Sequence, residues 1–336
     1  MCFNYLKTKT HFTLICSCKN KPEFSIALQS WIEALDASSL DKTSASIVAL
    51  DWSSHPPLES TLPSHLAQDP RLTLLRVQDQ SLWILSIAYN LAADFASRYI
   101  NRDAILVKLD CDTFLAPTFF QSLSIPSSRE FYAGNWRNAQ DENDEHLNGI
   151  FAIPLNQFIK SGGFDERIQT YGYDDTNLYL RLQNLTHLVK LDFPNQTMVH
   201  LAHIPSTRTH YQSQNIYSPL VETMLNRLIT EAIPLWTRKN IKSTYLISKL
   251  SKNRYEAQIL TIPPQNKLLV NATILETYTR KAFRRVLGLY GFYKSAYRKS
   301  MSISLLQKLE RTYSEGPLLI IHVQHGNFFN RKSLFL

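Results

Sequence analysis

A chain of 336 residues, 44% hydrophobic and 19% charged, has the composition of an ordinary soluble protein and the length for one large domain or about two smaller ones. Its opening, Met1-Cys2-Phe3-Asn4-Tyr5-Leu6-Lys7, lacks the apolar core of a signal peptide, and no run reaches the roughly 18 apolar residues of a membrane span, so the expected location is cytoplasmic. The net charge of +8 is uneven: residues 1–235 hold 18 Lys and Arg against 24 Asp and Glu, whereas residues 236–300 hold 14 against 2, which points to an anionic surface as the partner of the second part.

Phe12-Thr13-Leu14-Ile15-Cys16-Ser17-Cys18 reads as a first buried strand, and Pro22 suits the first turn of the helix that follows. In that helix Phe24, Leu28, Trp31 and Leu35 recur at helical spacing. A second strand, Ala45–Asp51, ends in an acid, and a third spans Arg71–Val77. A helix from Ser81 to about Arg98 then leads to Ile105-Leu106-Val107-Lys108-Leu109-Asp110-Cys111-Asp112. Strands alternating with helices predict an open, mostly parallel α/β sheet with right-handed crossovers. Ligands of such sheets sit beyond the carboxyl ends of the strands, where Asp51, Asp110 and Asp112 fall.

If the fourth strand runs to its end, Asp110 and Asp112 point the same way and share one ligand. Two carboxylates that close need a cation, and hard oxygen ligands select magnesium, manganese or calcium, any of which neutralises a diphosphate. The four cysteines, Cys2, Cys16, Cys18 and Cys111, form neither a disulfide framework nor a zinc spacing. Two further strands are expected over 131–136 and 149–153, around a charged loop from Asp141 to His146 that reads as a solvated connection in preference to part of a substrate wall.

The most specific stretch is Gly162-Gly163-Phe164-Asp165-Glu166-Arg167-Ile168-Gln169-Thr170-Tyr171-Gly172-Tyr173-Asp174-Asp175, leading into a helix. Its glycines permit tight turns, and an acid pair at a helix start is favoured by the helix dipole. Together with Asp51 and Asp110-Cys111-Asp112, this block resembles the GT-A glycosyltransferases of the family-2 type over about residues 10–210. The block itself is similar to the C-terminal motif of β-1,4-galactosyltransferases and of bacterial chondroitin-type polymerases, where a Gly-Phe turn leads to a Trp-Gly-Gly-Glu-Asp loop.

The resemblance implies a GT-A (nucleotide-diphospho-sugar transferase) fold and a metal-dependent, inverting transfer of a hexosyl or N-acetylhexosaminyl group. The donor would be a nucleotide sugar, UDP-linked, and the acceptor a glycan or lipid-linked saccharide of a surface polysaccharide or lipopolysaccharide. Asp175 would be the base and Asp174 would hold the acceptor. On the donor side, Asp51 would bind uracil, Asp110 would lie near ribose and metal, and Tyr171 would close over the site. Asp112 would bind Mn2+ (or Mg2+) directly, with His203 as the first choice of a further ligand and His200 as the second; imidazole with carboxylate favours manganese. The helix around Trp83–Asn90 would help hold the donor, but relatives often carry a basic residue where this chain has Ile87. Phosphate binding is then left to the metal, Asn90 and nearby lysines such as Lys19 or Lys21.

The resemblance predicts a boundary near residue 210, with 211–336 a basic, partly helical extension. Tyr255–Ile262 and Lys267–Val270 read as strands on either side of a Pro-Pro turn. The basic, aromatic helical stretch 276–313 suits peripheral contact with the inner face of a membrane, or equally a core helix with an exposed basic face. Leu318–Gly326 reads as the opening strand of another domain, the mark of a truncated fusion, and the sequons at Asn184, Asn195 and Asn271 matter only in a secreted chain. The rival readings are a non-catalytic nucleotide-sugar-binding subunit of a glycan-assembly complex, a nucleotidyltransferase, and a nucleic-acid binder. No recognised module supports the last, and no nucleic-acid partner is expected.

Overall fold

The computed structural model describes residues 10–38, 40, 42–124, 126–134, 146–201, 223, 226–227, 230 and 242–263. The apolar runs become strands β1 (Phe12–Cys18), β2 (Ala45–Trp52), β3 (Leu72–Val77) and β4 (Ile105–Lys108). They lie parallel in the spatial order β3-β2-β1-β4. Strands covered on both faces need apolar residues on both. Along β1, Phe12, Leu14, Cys16 and Cys18 enter one core while Ile15 enters the other.

Helix α1 (Phe24–Ala37) covers the first face, and α2 (Leu85–Phe95) covers the second. Trp31 of α1 is fully buried, and truncating such a side chain to alanine costs roughly 3–5 kcal/mol. Its indole N–H donates to the Thr113 carbonyl at 2.7 Å, so the helix also pins the chain just after Asp112.

After β4 come β5 (Thr113–Leu115), β6 (Glu130–Ala133), β7 (Phe151–Pro154), helix α3 (Leu155–Lys160), helix α4 (Asp174–Leu185), β8 (Val189–Leu191) and β9 (Met198–His200). Strand β7 runs antiparallel between β4 and β6, whereas β5 and β9 pair in a small sheet of their own. The result is the expected mixed α/β fold with a large, mostly parallel open sheet flanked by helices. The chain leaves β1 toward β2 and β3 and returns to β4 on the other side. This reversal opens a crevice beyond the carboxyl ends of β1 and β4, the usual ligand position in such sheets.

Three expectations change. The fourth strand stops at Lys108 rather than running through Asp112. Leu109 still donates to the Ile15 carbonyl, but Thr113 N then bonds back to Asp110 O at 3.0 Å and closes a turn. Asp110 and Asp112 are therefore related by a turn and not by strand alternation. The helix expected from Ser81 begins only at Leu85 and ends in a π-helical turn over Ala96–Ile100.

The third change concerns the boundary near residue 210. Strands β10 (Thr244–Ser251) and β11 (Arg254–Thr261) form a hairpin, and β11 pairs in parallel with β3, so this part of the basic extension belongs to the main sheet. Among the described residues no helix is long and apolar enough to cross a membrane. The expected elements over 267–270, 276–313 and 318–326 lie outside the described residues, as does nearly all of the charged loop before His146.

Candidate active site

At the end of β1, Lys19 is buried and its ammonium donates to three carbonyls: Trp52 at 3.1 Å, Ser53 at 3.3 Å and Gln80 at 2.6 Å. An ammonium has three hydrogens, so Lys19 ties the loops after β2 and β3 together and has none left for a phosphate. Lys21 is half-buried; the neighbouring Cys111 thiol is lowered chiefly by its hydrogen bonds with Cys16 and Cys18, with a smaller contribution from the Lys21 charge. Asp51 is 3% exposed. It accepts from Ser54 N at 2.8 Å and Leu58 N at 3.0 Å and pairs with Arg76. Where the resemblance assigns it the donor's uracil, this carboxylate is already engaged as the anchor of the loop after β2.

At the end of β4 the sequence reading missed a residue. Lys108 is 1% exposed, and its Nζ lies 2.8 Å from Asp110 Oδ1 and 4.7 Å from the centre of the Tyr89 ring. The Tyr89 hydroxyl shares its hydrogen between the Leu109 carbonyl at 2.9 Å and the same Asp110 oxygen at 3.1 Å. Burial alone would lower the pKa of Lys108, but Asp110 and Asp175 raise it above the ordinary lysine value and keep it charged.

Beyond the turn, β5 pairs with β9 so that Thr113 faces His200, and Leu201 N donates to Asp112 O at 2.7 Å. This backbone frame sets His200 Nδ1 3.6 Å from Asp112 Oδ1. The ring of His146, another residue not anticipated, lies 4.7 Å from that of His200. His203 lies outside the described residues. Among the described residues no three His, Cys, Asp or Glu side chains gather into a metal-holding group. The pair Asp112 and His200 nevertheless suits one ion, because adjacent ligands of an octahedral cation sit about 3 Å apart and a carboxylate with an imidazole is a reasonable manganese set.

The Gly162–Arg167 turn is clasped from several sides. Asn90 of α2 accepts from Phe164 N at 2.7 Å and donates to Phe164 O at 2.9 Å and Glu166 Oε1 at 2.8 Å, so its expected phosphate contact is replaced by a structural one. Arg181 of α4 donates to Ser161 O and Gly163 O, and Glu166 accepts from Ser243 N at the start of β10. Gly163 has φ +67, and a Cβ there would overlap Asn90 Oδ1. Gly163→Ala should therefore lower stability by roughly 2–4 kcal/mol, read as a shift in urea midpoint at unchanged m. Tyr171 is half-buried in the next loop, where Asn226 Nδ2 donates to its carbonyl at 3.2 Å and to that of Gly172 at 2.9 Å.

That loop delivers the acid pair to the first turn of α4, with Tyr173 in the left-handed conformation at its start. Asp175 Oδ1 is buried without a hydrogen-bond partner. Burial first, and then the charge of Asp174, push the Asp175 pKa up to about 8, despite the opposing pull of Lys108. Burial raises Asp174 as well. A Cβ placed on Gly149 would lie 3.0 Å from Lys108 Nζ, 3.1 Å from Asp175 Oδ2 and 3.3 Å from Asp110 Oδ2. The glycine thus marks a point on which a cation and two carboxylates converge. The cluster can accept a proton near neutral pH, and Asp110 joins it to the turn that carries Asp112.

Residues 133–205 match the family model described as the N-terminal domain of galactosyltransferase. Among solved structures, the chain is similar to the catalytic domain of Drosophila β1,4-galactosyltransferase 7 in complex with xylobiose, at 12% identity and TM-score 0.46 over 76% of this chain and 94% of that one. It is also similar to the mannosyltransferase PcManGT from Pyrobaculum calidifontis in complex with GDP-Man and Mn2+, at 14% identity and TM-score 0.44 over 91% and 83%. A third is S. aureus TarS 1-349 in complex with UDP-GlcNAc, at 9% identity and TM-score 0.41 over 90% and 81%. No curated protein sequence matches the chain. The span matched by the family model contains Gly149, Asp174, Asp175 and His200, the half of the site that follows β6.

Proposed function

We propose that the chain is a metal-dependent, inverting glycosyltransferase of GT-A type, moving a sugar from a nucleotide sugar, UDP-linked, to a hydroxyl of a glycan or lipid-linked acceptor. The observation that carries this reading is the convergence of Asp175, Asp110 and Lys108 around Gly149, with Asp110 on the turn that carries Asp112 toward His200. Asp175 takes the proton of the acceptor hydroxyl as that oxygen attacks the anomeric carbon, and the bond to the diphosphate breaks on the opposite face of the sugar. A carboxyl raised to about 8 is well matched to this task near neutral pH.

Asp174 holds the acceptor and Asp110 the donor side, while Tyr171 closes over the donor. Asp112 and His200 would hold the divalent ion, with His203 as a further ligand; such an ion acts as a Lewis acid on the departing diphosphate. With Lys19 engaged elsewhere, Lys21 is the lysine left to face the phosphates. We place the reaction in the cytoplasm, with residues 276–313 resting on an anionic membrane surface, in keeping with their charge.

The test is UDP release by the purified protein from UDP-glucose, UDP-galactose and their N-acetylated counterparts, with and without manganese. Manganese-dependent release from one donor is expected. Metal-dependent UDP binding without release from any donor, whatever acceptor is supplied, would favour a non-catalytic binding subunit instead.

A further inference from the structure

We propose that Lys108 is a positioning residue that sets the spacing of the donor-side carboxylate Asp110 and the proton-accepting carboxylate Asp175, with Gly149 kept bare so that the three can meet. The inference rests on the glycosyltransferase reading above and adds a residue to it.

A lysine at the end of a buried, otherwise apolar strand is costly to bury unless its charge is paired. Lys108 meets that condition at the active crevice rather than at a surface. Its Nζ bonds Asp110 Oδ1 at 2.8 Å, stands over the Tyr89 ring at 4.7 Å and lies 3.0 Å from the point that Asp175 Oδ2 approaches to 3.1 Å. The two carboxylates come from distant parts of the chain, one from the turn after β4 and the other from the first turn of α4. Carboxylates brought to one place repel, and the Lys108 ammonium, bonded to Asp110 and near enough to Asp175 for the two charges to act on each other, offsets that repulsion.

Gly149 supplies the complementary constraint. Its backbone needs no left-handed conformation, since no positive φ is found there, so its lack of a side chain is explained by space. A methyl group would stand 3.0–3.3 Å from all three polar atoms, close enough to displace at least one by a few tenths of an ångström. Tyr179 of α4 holds the neighbouring backbone in place by donating to Asn148 O at 2.8 Å.

The experiment compares wild type, Lys108→Met and Gly149→Ala for cooperative thermal melting, calorimetric affinity for UDP in manganese, and steady-state kcat and donor KM. Misplacing a proton acceptor lowers kcat, whereas loss of donor grip raises KM. Lys108→Met should keep its UDP affinity within about threefold and lose roughly 100-fold in kcat. Gly149→Ala leaves every charge in place and should lose about tenfold in kcat with a normal melt.

A kcat within about threefold of wild type in a folded Lys108→Met, or a kcat loss no larger than its loss of UDP affinity, would overturn the proposal. Should Lys108→Met fail to fold, Gly149→Ala decides: an unchanged kcat there overturns it. A wild-type protein that turns over no donor refutes the glycosyltransferase reading itself, a result distinct from either variant outcome.

Discussion

Asp175→Asn should abolish sugar transfer and at the same time make the metal-free protein more stable above pH 8. The catalytic loss follows from removing the proton acceptor and should be roughly 10²–10⁴-fold in kcat. The gain in stability follows from the carboxyl's displacement to about 8 by burial and by Asp174. Because this pKa is raised in the folded state, the folded protein binds more protons than the unfolded chain between about 4 and 8.

Below that window both states are protonated and the side chain costs nothing. As pH rises through it, ionising the buried group increasingly opposes folding. An asparagine is neutral throughout, so wild type and variant should melt together near pH 4 and diverge up to pH 8, with a constant gap above it. The displacement is already net of the attraction to Lys108, so the gap is on the order of 5 kcal/mol, or roughly 10–15 °C in melting temperature. Melting curves in chelator at pH 4, 6 and 8.5 measure this directly. A variant that is inactive but equally or less stable at pH 8.5 would mean that Asp175 is not held in the unfavourable environment described here.

Strands β1 to β4 were legible because each is a run of apolar, often branched residues that must be buried on two faces. The acid pair of α4 was legible because glycines and aromatics precede it. What the residues could not reveal was what each polar side chain near the crevice bonds to. Lys19 and Asn90 have the right chemistry for a diphosphate, but one is held by three carbonyls and the other by the Phe164 backbone, partners 33 to 74 residues away.

The end of β4 was misplaced for a related reason. The run stays apolar through Leu109, and only the bond from Thr113 N to Asp110 O turns the chain. Lys108 carried a signal that could have been used, since a charge inside an apolar strand demands a buried partner. The hairpin was half seen: β11 was expected, whereas β10, with Lys249 among its apolar residues, was hidden in the basic composition of its surroundings.

The second large effect is expected at Asp112. Asp112→Asn should keep the fold, because asparagine has the same size and the carbonyl of residue 112 still accepts from Leu201 N. It should nevertheless lose about 10³-fold in manganese-dependent turnover, equivalent to roughly 4 kcal/mol of transition-state stabilisation. His200→Gln should lose less, since a neutral ligand is exchanged for another neutral group and the carboxylate remains. Both positions are fixed by backbone pairing between β5 and β9, so neither loss is explained by a side chain drifting away.

The discriminating measurement is calorimetric binding of UDP with and without manganese. Wild type should bind far more tightly with the ion, and Asp112→Asn should bind about equally in both conditions. Should Asp112→Asn retain the full manganese dependence, the ion is held elsewhere, and the 3.6 Å approach of Asp112 to His200 is only a strand-end contact.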